Sequence, residues 1–176
     1  MDKWDQESEI LERLNQSHSI RGFLIQTNEL LEESVANLIQ RLLRKDDYAI
    51  KYAVNPLLSS QGPLGEMDVR LKLIYGLGII SQETYQDIEN LMALRDFLNN
   101  EAQEYDFTDQ KIISEIKSLH ILSDISRSQL NFPVYSERDP ASQSMQRDRQ
   151  SKVVRSILTL AITEICKELA KDNALL

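Results

Sequence analysis

Residues 20–43 read IRGFLIQTNELLEESVANLIQRLL, and the fold follows from this stretch. Ile20, Phe23, Leu24, Thr27, Leu31, Val35, Leu38 and Leu42 follow one another mostly three or four residues apart. That spacing puts them on one face of a long amphipathic helix. Toward the N-terminus, Ile10, Leu11 and Leu14 mark a shorter helix, and Ser17-His18-Ser19 supplies a break whose hydroxyls can cap the next start.

Toward the C-terminus the same period recurs in shorter pieces. A third helix is expected over residues 47–54, stopping near Asn55-Pro56, because proline lacks a donor and disfavours helical geometry in the residue before it. The loop Ser59-Ser60-Gln61-Gly62-Pro63-Leu64-Gly65 follows. A fourth helix over residues 67–77 points Val69, Leu73, Ile74 and Leu77 inward and ends at Gly78, suited to a left-handed cap. Ser81 caps a fifth over residues 82–100, with Tyr85, Ile88, Leu91, Met92, Arg95 and Leu98 on one side. Thr108-Asp109 opens a sixth, carrying Ile112, Ile113, Ile116 and Leu119. Residues 126–139 lack a helical period and hold Phe132-Pro133-Val134, which reads as a loop. Asp139-Pro140 then caps a last helix that runs to about residue 170 through Val153, Val154, Ile157, Leu158, Ala161, Ile165 and Leu169. The expectation is an all-α, single-domain helical bundle of about seven helices spanning residues 1–176.

Composition agrees. The 41% hydrophobic and 27% charged fractions are those of a globular chain, and 176 residues suffice to bury a sizeable core. With aromatics at 6%, Gly 5 and Pro 4, strand and turn formers are scarce. The single Cys166 forms no internal disulfide, residues 1–12 hold no apolar run resembling a signal peptide, and no stretch approaches the roughly 18 apolar residues of a membrane span. A cytoplasmic, non-membrane protein is expected. Asp+Glu 28 against Lys+Arg 20 gives a formal net charge of -8, a field that repels a phosphate backbone unless positive charge gathers on one face.

Reactive groups are few. His18 and His120 lie far from each other and from any Glu-x-x-His pattern, so no metal site and no cofactor are expected. His120 and Asp124 can share a helical face as a structural pair, and Cys166 sits among Ile162, Ile165 and Leu169 as a packing residue. No catalytic residues are assigned. The fourth helix, the turn at residues 78–81 and the fifth helix have helix-turn-helix lengths, but Glu83, Gln86, Asp87, Glu89 and Asn90 on the would-be recognition helix would meet DNA phosphates with carboxylates. An ordinary packed hairpin is the better reading. Arg147, Arg149, Lys152 and Arg155 form the best basic cluster, although their angular positions spread around the helix.

Three runs carry a family resemblance: residues 45–58 (KDDYAIKYAVNPLL), Gly62-Pro63-Leu64-Gly65, and residues 69–78 (VRLKLIYGLG). With Leu91-Met92-Ala93-Leu94-Arg95, residues 104–109 (EYDFTD) and residues 160–164 (LAITE), the chain from about residue 13 to 168 resembles the mannitol operon repressor family. The resemblance implies a cytoplasmic negative regulator of mannitol uptake and catabolism genes, in an all-helical family lacking a standard DNA-binding motif. A fainter likeness links Arg95-Asp96-Phe97-Leu98-Asn99-Asn100 to the Arg-Asn-x-Phe-Ala-His signature of HEPN-type helical domains, some of which are ribonucleases. Asp96 and Asn100 stand where that signature has its asparagine and histidine, so the proton-transferring group is missing at the matching position.

A repressor with net charge -8 can act in two ways. It can work through a protein partner, another transcription factor or a sugar phosphotransferase component, or a homodimer can concentrate Arg147, Arg149, Lys152 and Arg155 against DNA. The first is favoured, because an acidic surface steers toward a basic partner. The expected contact residues are Gly62, Pro63 and Leu64 of the loop with adjacent Arg70, Lys72 and Tyr75.

Overall fold

The structure, a computed structural model, describes residues 3–43, 45–133 and 140–171. The described residues form helices without strands: α1 (Lys3–Asn15), α2 (Ile20–Leu42), α3 (Asp47–Ala49), a π-helical turn (Ile50–Val54), α4 (Asn55–Leu58), α5 (Met67–Gly76), α6 (Gln82–Asn100), α7 (Gln110–Lys117), α8 (Asp124–Gln129) and α9 (Pro140–Ala170).

Helix α2 is the hub. It packs against α1, α5, α6 and α9, and its stripe of Ile20, Phe23, Leu24, Leu31, Val35 and Leu38 is fully buried, as the period requires. Ser19 caps it by accepting a hydrogen bond from the Gly22 N–H, and Ser81 caps α6 by accepting from the Thr84 N–H. Around α2 the core gathers Leu14 from α1, Ile74 from α5, Ile88 and Leu98 from α6, Ile112 from α7, and Val154, Leu158, Ile162 and Leu169 from α9. Phe23 meets Phe107 edge to face, ring centroids 5.7 Å apart. No helix among the described residues is long and apolar enough to cross a membrane.

Four sequence expectations need correction. Helix α5 is rotated from the expected face: Ile74 is buried as expected, but Met67 and Leu71 join it, while Val69 and Leu77 are 40% and 52% exposed. The expected stop before Pro56 does not occur. The backbone widens into the π turn, where the Asn55 N–H bonds to the Ile50 carbonyl, and Pro56 then sits in the first turn of α4, where its missing N–H costs little. Residues 126–129 of the expected loop are helical, as part of α8, which Ser123 caps by accepting from the Ser126 N–H. With α3, the π turn and α4 standing where a single third helix was expected, α8 is the element added to the seven; Val134 and Asp139 lie outside the described residues. Finally, Leu11 and Val153, read as core residues, are 40% and 37% exposed.

Candidate functional site

Arginines decide what surface remains for function. The last carbonyls of a helix have no intrahelical donor, and here they are met repeatedly by arginine side chains from elsewhere in the fold. Arg155 donates to the Leu14 carbonyl at the end of α1 (2.8 Å), Arg41 to Leu169 at the end of α9 (2.6 Å), and Arg127 to Lys117 and Leu119 at the end of α7 (3.1 and 3.0 Å). Arg21 donates to Glu101 at the end of α6 (3.2 Å), and Arg70 to Leu58 at the end of α4 (3.2 Å). Each guanidinium also complements the negative end of a helix dipole. These charges hold the bundle together.

The expected DNA-contact set is broken up accordingly. Arg155 reaches inward to Leu14 and lies over the Phe23 ring at 5.8 Å. Arg147 lines a polar hollow of about 320 Å³ beside Asp106 and Asp148, whereas Lys152 and Arg155 line a separate groove with Leu11 and Leu160. Arg149 is exposed. The four basic residues do not form one patch.

The expected partner-contact residues fall into two linked groups. In the loop, Gly62 N–H donates to the Ser59 carbonyl (2.8 Å), Leu64 N–H to Leu57 (2.9 Å) and Gly65 N–H to Gly62 (2.9 Å), folding the chain back on α4. A Cβ on Gly62 would stand 2.2 Å from the Pro56 carbonyl oxygen, so only glycine permits this approach. Arg70 closes the loop from α5, its Nε donating to the Leu64 carbonyl. Arg70 is therefore a clamp for the loop, and Pro63 is the exposed residue beside it.

The second group lies on α5 and α6. Tyr75 stacks on Tyr85 at 4.6 Å, and the Tyr85 hydroxyl donates to Glu89, an interaction that pushes the phenol up to about 12. Lys72, exposed, pairs with Asp68 at 2.7 Å; that carboxylate first, and Glu89 more weakly, hold its ammonium charged above the ordinary lysine value. Tyr85 and Glu89 complete this edge; the sequence places Tyr85 among the inward residues of α6 and Glu89 among its exposed carboxylates, with nothing to join them to Tyr75.

Two further groups also changed partners. Asp87, expected on the exposed face of α6, is 1% exposed. Its Oδ1 accepts from the His120 backbone N–H (2.7 Å) and pairs with the His120 Nδ1 (2.9 Å), and its Oδ2 accepts from the Ile121 N–H (2.8 Å). His120 thus pairs with Asp87 rather than Asp124, which lies 3.7 Å from Arg127. The surrounding hollow of about 310 Å³ is lined by Ser81, Glu83, Thr84 and Glu168 as well, so carboxylates dominate it. Cys166 is buried, and burial pushes its thiol up from the ordinary value. Arg95 lies 2.8 Å from its neighbour Asp96, and Asn100 is exposed at the end of α6. Among the described residues, no group of three or more His, Cys, Asp or Glu side chains is placed to hold a metal ion.

These features define a helical scaffold whose distinctive surface is a capped loop with flanking tyrosines. Residues 6–170 match the family model described as mannitol repressor. The chain belongs to the mannitol repressor family. It is 44% identical over 168 residues to the mannitol operon repressor of Escherichia coli (strain K12), covering 96% of this chain and 84% of that protein. It is also 30% identical over 172 residues to fumarase E of Escherichia coli (strain K12), covering 93% of this chain and 96% of that protein. Among solved structures, the MtlR–HPr complex from Escherichia coli superposes with a TM-score of 0.82 at 45% identity, covering 94% of this chain and 98% of that one. A possible transcriptional regulator, YggD, from Shigella flexneri 2a superposes with a TM-score of 0.76 at 29% identity, covering 93% and 96%.

Proposed function

We propose that this chain is a negative transcriptional regulator of mannitol uptake and catabolism genes, acting in the cytoplasm through a protein partner and having no enzymatic activity. The observation that carries this is the 44% identity to a mannitol operon repressor along nearly the whole chain. The partner class is a sugar phosphotransferase component of the HPr type, because a relative 45% identical to this chain has been seen in complex with HPr. The proposed contact edge comprises Gly62, Pro63 and Leu64 in the conformation that Arg70 fixes, with Lys72 and Tyr75 beside them.

Electrostatics support a protein route over direct DNA contact. Specific DNA binding neutralises several phosphates with clustered Lys and Arg, but this chain carries -8 and its best basic residues are divided, Arg147 in one hollow and Lys152 with Arg155 in another. Hydration of fumarate, the reaction suggested by one relative's name, needs cationic groups to hold two carboxylates together with a group that transfers a proton. The hollow beside His120 presents Glu83, Asp87 and Glu168, a lining that would repel that substrate.

The test is a titration of labelled mannitol promoter DNA against unrelated DNA at two salt concentrations, with purified HPr binding measured alongside. HPr binding without promoter-selective DNA binding by the isolated chain is expected. Nanomolar, promoter-selective binding lost when Arg147, Arg149, Lys152 and Arg155 are all changed to Ala would overturn the reading. So would fumarate hydration by the purified protein.

A further inference from the structure

Helices α1 and α9 leave between them a groove of about 440 Å³, a volume in the range of small-molecule sites. Leu11 of α1 and Leu160 of α9, 40% and 62% exposed, supply its apolar walls, and the methylene stems of Lys152 and Arg155 extend them. Asn15, Ser156 and Thr159 add an amide and two hydroxyls. The groove lies on helices that carry none of the proposed partner-contact residues.

Its charge runs against that of the chain. Unlike the hollows beside Asp106 and His120, it has no Asp or Glu in its wall, although the chain carries -8. Other carboxylates of the same two helices are placed elsewhere. Glu7 and Glu164 both pair with Lys167, at 3.1 and 2.9 Å, Asp148 lines the hollow beside Asp106, and Glu9 and Glu12, exposed on α1, are not part of the wall. Among the described residues Lys152 has no carboxylate partner.

Arg155 is fixed in position. Its Nη2 donates to the Leu14 carbonyl at 2.8 Å and its guanidinium lies over the Phe23 ring, yet its Nε is buried without a hydrogen-bond partner among the described residues. A buried donor left unpaired is costly, and a guanidinium already held in place loses little entropy on meeting an anion. Two cations without counter-charge, set between apolar walls, select an anion with an apolar body. We propose that this groove binds an amphiphilic monocarboxylate, its head against the Lys152 ammonium and the Arg155 guanidinium and its alkyl chain along Leu11 and Leu160. A phosphodiester backbone or a sugar phosphate would set polar oxygens against the leucines.

Calorimetric titration of the full chain with octanoate tests this, with octanol and inorganic phosphate as the apolar body and an anionic head alone. Octanoate is expected to bind one per chain, with amide protection gained in residues 8–16 and 152–160, and each control compound should bind far more weakly. Lys152→Ala should weaken octanoate binding roughly tenfold. Leu160→Asp, which places a carboxylate in the groove, should abolish it; both side chains are exposed, so cooperative melting should be retained. Arg149→Ala removes the same charge from an exposed position of α9 outside the groove and should stay within about twofold of the parent. Undiminished binding by Lys152→Ala or Leu160→Asp, an equal loss in Arg149→Ala, or octanol binding as tightly as octanoate would overturn the assignment. So would the absence of saturable octanoate binding by the parent chain.

Discussion

Helix α6 and the arm formed by residues 45–66 are both helical, both apolar in part, and of similar length, but they have opposite fates. Helix α6 buries Ile88, Leu91, Leu94 and Leu98, while no residue of the arm is fully buried. The difference lies in continuity. An unbroken helix of 19 residues keeps its apolar side chains in phase along one face. The arm changes hydrogen-bond register at the π turn and its last helix ends within three residues of Pro56, so its apolar residues make no continuous stripe: Ile50, Val54, Leu57 and Leu64 are only half-buried, and Leu58 is the one that packs against the core. Apolar content therefore does not predict burial; uninterrupted period does. In the arm the same residue types are left available for contact.

Substitutions in the two regions should separate stability from binding. Leu38→Ala or Leu158→Ala, at 1% and 0% exposure, should destabilise by about 2 to 5 kcal/mol in chemical denaturation. A loss below about 0.5 kcal/mol would mean that the body is not packed as described. Asp87→Ala should cost about 2 to 3 kcal/mol, because it orphans the His120 and Ile121 N–H donors; loosening of the turn at residues 118–122 would appear in amide exchange. Gly62→Ala should cost about 1 to 3 kcal/mol by forcing the loop off the Pro56 carbonyl. Its calorimetric signature should be weakened HPr binding with the body intact. At the small end, Tyr48→Ala and Tyr52→Ala should each change stability by less than about 0.5 kcal/mol, since the rings are mostly in water. A larger loss by thermal denaturation would place the tyrosines in the fold rather than at its surface.

Much of the body could be read from sequence, because α2 carries a single apolar stripe and Ser19, Ser81 and Gly78 punctuate the helices in standard ways. Helix α5 could not be phased. The apolar period takes Ile74 inward correctly, but Leu71 lies three residues before it just as Leu77 lies three after, with Met67 four before Leu71, and only tertiary packing selects Met67 and Leu71 over Val69 and Leu77. The roles of Asp87 and Arg155 depend on partners 33 and 141 residues distant, which no local pattern encodes. Nor does sequence say whether Tyr48 and Tyr52 face the core or the solvent, since a four-residue spacing suits either. The loop motif Gly62-Pro63-Leu64-Gly65 was visible as a motif, but its geometric reason, the close approach to the Pro56 and Leu57 carbonyls, required the structure.

The most direct test of the contrast between body and arm is hydrogen–deuterium exchange of the chain with and without saturating HPr. If the loop and the outer face of α5 are the docking surface, added protection should concentrate in residues 59–77, leaving the amides of α2 and α9 unchanged. Protection centred instead on α9 around residues 145–160, or none in residues 59–77 despite saturation, would contradict the account.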